Sequence, residues 1–120
     1  LAGGTITING GNITATAGEN ASGLEGTTTI SGGVVTAIGG DAASSDGDGR
    51  AGFDGGLTMT GGKLIATGGV KDGTGDDGLG ISGSSTIALT GVTMYEGDSA
   101  DPSTPAANQT VCTKQYVIIR

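Results

Sequence analysis

Three stretches of this chain are variants of one another, and that self-similarity limits the folds open to it more than any other feature. Thr5–Gly18 (TITINGGNITATAG), Thr27–Gly40 (TTTISGGVVTAIGG) and Gly56–Gly69 (GLTMTGGKLIATGG) align without gaps. Their Gly-Gly pairs fall at 10–11, 32–33 and 61–62, spaced by 22 and 29 residues. A degraded fourth copy, Thr86–Gly97 (TIALTGVTMYEG), follows the third at a spacing of 30 residues. A shorter motif precedes the glycine pair by eight residues: Leu24 between Gly23 and Gly26, and Phe53 between Gly52 and Gly55. Leu79 reads as its third occurrence.

Each copy reads as strand, tight turn, strand. Ile6/Ile8, Thr28/Ile30, Leu57/Met59 and Ile87/Leu89 alternate with polar neighbours, mostly Thr, at the period of a half-buried strand. The alternation resumes after the glycines with Ile13/Ala15, Val35/Ala37 and Leu64/Ala66. Hairpins within each copy give no reason for an Ala to recur at one fixed place, whereas stacking equivalent strands on one another does. The expected fold is therefore all-β: a right-handed parallel β-helix (β-solenoid) of about four short coils over residues 1–97, with an antiparallel β-sandwich as the alternative. Residues 98–120 depart from the pattern. They hold both prolines, Pro102 and Pro105, in an expected irregular loop, followed by an unrelieved apolar stretch (QYVIIR) read as a C-terminal capping strand.

Composition narrows the chemistry. A chain of 120 residues has one core to build. Glycine fills 27 positions, yet there is no Gly-X-Y period, so collagen is excluded. Twelve acids against five bases give a net charge of −7, which opposes nucleic-acid binding. With no His and a single Cys, an imidazole triad and a His/Cys zinc site are excluded. No apolar run approaches the roughly 20 residues of a membrane helix. Cys112 reads as a small buried hydrophobe, because nothing near it in sequence would activate the thiol.

Most acids lie in the insertions between copies. Asp41, Asp46, Asp48, Asp72, Asp76 and Asp77 sit on glycine-rich loops that stacking would bring together. Calcium takes six to eight hard oxygen ligands, which makes these six its candidate ligands and calcium the candidate ion. The other reading of the same acids is a solvated margin that keeps the sheet soluble. Arg50 and Lys71, beside the acidic runs, are the candidate ligand contacts. Nothing in the chain composes a catalytic constellation, so a non-enzymatic role is expected.

A first strand starting close to Leu1 is expected to leave an open edge, to be covered by preceding sequence or by a neighbouring copy. Ile6 on the first strand and Tyr116 and Ile118 on the last are the candidate assembly contacts. A head-to-tail contact of that kind makes a filament.

The run GGTITINGGNITATAG with TISGGVVTAIGG and LTMTGGKLIATGG resembles the glycine-rich repeats of bacterial secreted and surface proteins in the carbohydrate-binding β-helix family, over roughly residues 3–97. The resemblance implies an extracellular or cell-surface protein that binds acidic polysaccharide with the help of calcium. Asp98–Ser99–Ala100 resembles a bacterial O-glycosylation site, which makes Ser99 its acceptor. Two functions follow as expectations. The first is carbohydrate binding; the second is a self-assembling subunit of an extracellular filament or surface scaffold, whose partner is a copy of itself.

Overall fold

The computed structural model describes residues 1–120. Ten short strands follow one another: β1 (Ala2–Ile8), β2 (Asn12–Thr16), β3 (Leu24–Ile30), β4 (Val34–Ile38), β5 (Phe53–Asp54), β6 (Gly56–Met59), β7 (Lys63–Thr67), β8 (Thr86–Leu89), β9 (Met94–Gly97) and β10 (Tyr116–Ile119). They form two five-stranded sheets. The first has the order β1-β3-β6-β8, with β5 beside β3; the second has the order β2-β4-β7-β10-β9. Pairing in the first sheet is parallel throughout. The second is mixed: β2, β4 and β7 are parallel, while β10 is antiparallel to both β7 and β9.

This arrangement overturns the expected right-handed parallel β-helix of about four short coils. Ten short strands in two sheets, one of them mixed, do not make a single solenoid. The departure begins in the fourth copy, and its cause is local. In the first three copies the second glycine of the pair takes positive φ, at 82° for Gly11, 84° for Gly33 and 75° for Gly62. The first glycine lies against the preceding copy, where a Cβ at position 32 would stand 2.7 Å from the Asn9 carbonyl oxygen and one at 61 would stand 2.6 Å from that of Ser31. The fourth copy has Thr90–Gly91–Val92, with a single glycine that itself turns at φ 74°. Its following strand, β9, does not pair with β7. The place beside β7 goes instead to Tyr116–Ile119, whose unbroken apolar run suits a strand with a neighbour on each side.

The repeat does set the register of the other strands. Ile13, Val35 and Leu64 are successive partners, as are Ala15, Ala37 and Ala66. Both columns then meet β10, where Leu64 faces Ile119 and Ala66 faces Val117. One core of 17 buried residues joins the two sheets, with Leu24, Ile30, Phe53, Met59, Leu64 and Ile119 fully buried. Each such side chain contributes about 1.5–3 kcal/mol of burial.

Two further expectations need correction. The third occurrence of the short motif is Gly80–Ile81, not Leu79: Ile81 bridges Phe53, which pairs with Leu24. The glycines explain the spacing. A Cβ at 23, 52 or 80 would press on the backbone of the facing strand, at Ile38, Thr67 and Ala66 respectively. The assembly contacts on β10 also fail, because that strand is paired on both sides, Ile118 is 4% exposed and Tyr116 is half-buried. β10 therefore presents no free edge. Ile6 is half-buried on β1, which is an outer strand.

Candidate functional site

The two long insertions, residues 39–52 and 68–80, lie against each other through backbone hydrogen bonds. Asp72 N donates to the Gly47 carbonyl (3.0 Å), Gly49 N to Asp76 (2.9 Å) and Gly69 N to Arg50 (2.8 Å). Such close approach requires glycine: a Cβ at Gly49 would collide with the Gly69 carbonyl, and one at Gly78 with that of Arg50.

The aspartates reinforce this contact. Asp41 Oδ1 accepts a hydrogen bond from Val70 N (2.8 Å), Asp46 Oδ1 from Thr74 N (2.8 Å) and Asp48 Oδ1 from Asp76 N (2.8 Å). Asp77 Oδ1 accepts from Lys71 N within its own loop (2.9 Å). Asn20 Oδ1 accepts from Ala43 N (3.4 Å), so the preceding loop is joined in the same manner. Asn20 and Asp46 hold φ of 60° and 59°, a region that Asn and Asp tolerate better than most residues. Four of the six predicted calcium ligands thus satisfy backbone amides through one carboxylate oxygen. The six do not converge: no three acidic side chains come together as a metal-holding group.

What the loops frame is a polar trough. Its first part, a cleft of about 270 Å³, is lined by Ser22, Asp48, Arg50, Asp54, Asp76, Asp77 and Ser82, with only Ala51 and Leu79 as apolar contributors. The second part, about 550 Å³, shares Asp76–Leu79 with the first and continues to Asp98, Thr113, Lys114 and Gln115. Lys114 Nζ is paired with Asp98 Oδ2 at 3.2 Å. Thr113 donates to Glu96 through both its backbone N (2.8 Å) and its hydroxyl (2.9 Å), which fixes the far wall. Arg50 is exposed and forms no ion pair, so its guanidinium stays open to a ligand. The trough has no aromatic platform: Phe53 is fully buried, and Tyr95 lies under the Arg120 guanidinium at 4.8 Å.

Of the residues singled out in the sequence, the trough unites Asp48, Arg50, Asp76 and Asp77. Asp41, Asp46, Asp72 and Lys71 lie on the same loops outside its lining, and Ser99 is exposed just after β9. Sequence reasoning missed Ser22, Asp54, Ser82, Asp98 and Lys114. The signal for Asp54 was present, since the short motif aligns it with Glu25, its partner in register. Lys114 lies beyond the last copy, where no pattern reaches.

Cys112 is buried, 2% exposed, and burial raises its thiol pKa above the ordinary range. It accepts a hydrogen bond from Ile81 N (3.4 Å) and donates to the Lys114 carbonyl (3.2 Å). No helix of the chain is long and apolar enough to cross a membrane. Comparison with protein-family models, curated proteins and solved structures found no match to this chain.

Proposed function

We propose that this chain is a non-enzymatic extracellular module that binds an acidic polysaccharide along the polar trough, with calcium joining the glycan to the loop carboxylates. The observation that carries this reading is Arg50, an unpaired guanidinium in a cleft whose other charged groups, Asp48, Asp54, Asp76 and Asp77, are all acidic. A guanidinium offers a planar fork to a carboxylate, and a trough lined by carboxylates, hydroxyls and backbone suits a ligand made of hydroxyls. The lack of aromatic faces disfavours stacked neutral sugars.

Calcium answers the charge problem. A protein of net charge −7 repels an acidic glycan unless a cation lies between them. Four trough carboxylates, Asp48, Asp76, Asp77 and Asp98, are exposed; Asp98 is paired with Lys114, and Asp48 and Asp77 each commit one oxygen to the backbone. Because no three protein acids converge, the ion's remaining oxygens come from the glycan and water. The extracellular setting is part of the same reading and rests on the resemblance of the repeats to surface proteins.

Titration of polygalacturonate by calorimetry, with calcium and with a chelator, tests it. Binding is expected with calcium and lost with the chelator. Arg50→Ala should weaken it about tenfold, the value of a charge-assisted hydrogen bond. Equal binding by Arg50→Ala would remove the trough from the reading, and binding indifferent to the chelator would remove calcium.

A further inference from the structure

The outer face of the first sheet is a lattice of threonines. β1, β3, β6 and β8 are paired residue for residue, without a bulge from Thr5 onward. Ile6, Thr28, Leu57 and Ile87 occupy one inward row of this register. The neighbouring positions therefore face outward in two columns, Thr5–Thr27–Gly56–Thr86 and Thr7–Thr29–Thr58–Ala88. Six of these eight positions are threonine; five of the six are exposed and Thr29 is half-buried. Gly56 lies between Thr27 and Thr86, where a Cβ would stand 3.3 Å from the Thr86 hydroxyl, and a hollow of about 270 Å³ opens among Thr27, Gly56, Thr58, Thr86 and Ala88.

Strand geometry sets the dimensions of the array. Neighbouring positions of the array stand about 4.8 Å apart across the strands and about 6.7 Å apart along them. Threonine is stiff at χ1, so the methyls and hydroxyls are held in order before any ligand arrives. The array carries no charge, although the chain as a whole carries −7; Glu25 and Asp54 mark its margin. A charged macromolecule finds nothing to pair with here, and a sugar ring finds no aromatic face. An uncharged surface that repeats in two dimensions does find a match, because the oxygens on the faces of ice recur at spacings close to both of these. Each hydroxyl can hold one lattice water while each methyl fills the space between waters.

We propose that the face formed by Thr5, Thr7, Thr27, Thr29, Thr58 and Thr86 binds ice. This face is separate from the trough, and the proposal stands independently of polysaccharide binding. The test is partition of the purified chain into a slowly grown ice body, alongside direct observation of crystal shape and growth arrest. The unmodified protein should be enriched in the ice and should facet its crystals. Thr58→Lys, at the middle of the array, should lose both effects, as should Thr7→Lys on the outer strand, where the fold is least disturbed. Thr36→Lys, on the outer face of the second sheet, carries the same charge change and should keep both. Exclusion of the unmodified protein from ice would overturn the proposal, as would equal loss with Thr36→Lys or full activity in folded Thr58→Lys and Thr7→Lys. Retention on microcrystalline cellulose without ice enrichment would also overturn it, in favour of a crystalline glycan.

Discussion

Glycine holds this molecule together for two different reasons, and single substitutions separate them. Gly11, Gly33 and Gly62 supply positive φ at the turn, whereas Gly40 and Gly69 lie where one backbone crosses the next. A Cβ at 69 would collide with the Gly40 carbonyl, so Gly69→Ala should cost about 3 kcal/mol in urea unfolding. Gly10, with nothing within 4 Å and an ordinary φ, should accept Ala within about 0.5 kcal/mol. Equal costs at the two positions would mean that the crossing is not tight. Cys112 provides a second check at this scale. Burial raises its pKa, so the native state keeps the thiol proton at pH values where the unfolded chain has lost it. Its contribution is therefore full at neutral pH and should fall as the pH rises beyond about 8.5. Cys112→Ala should flatten that part of the stability–pH profile relative to the unmodified chain. The glycine pairs were legible in the sequence as turns. Their closeness to the preceding copy was not, because that contact exists only once the copies stack.

Among the elements, the acidic loops behave as structural joints as well as site walls. Asp41→Ala should remove the acceptor for Val70 N and cost about 1 kcal/mol, with faster amide exchange at Val70. Asp41→Asn retains an acceptor oxygen and should restore most of the protection. A loss of protection as large in Asn as in Ala would show that the charge, not the hydrogen bond, holds the loops. The strand columns, Ile13–Val35–Leu64 and Ala15–Ala37–Ala66, could be read from the repeat because parallel stacking in register puts like residues together. The insertion of β10 could not. Unbroken apolarity marks Tyr116–Ile119 as a strand, but no feature of those residues encodes the direction in which it runs or the neighbour it takes. The third short motif falls at Ile81 and not Leu79 for a related reason: the deciding contact, Ile81 beside Phe53, exists only once the strands are stacked.

The whole molecule presents surfaces of different chemistry: a charged trough at the acidic loops and a neutral threonine face on the first sheet. Half of the eight predicted metal and ligand residues reach the trough, because acids clustered in two insertions of equivalent position had to come together. The others were chosen by residue type alone, and four acids of the six turned out to serve backbone amides. Nuclear magnetic resonance mapping with a short galacturonate oligomer in calcium tests the proposed function most directly. Shifts should concentrate on Ser22, Asp48–Asp54, Asp76–Gly83 and Thr113–Gln115, and Arg50→Ala should need about tenfold more oligomer to reach them. Shifts confined to the sheet faces, or none at saturating oligomer, would contradict binding in the trough.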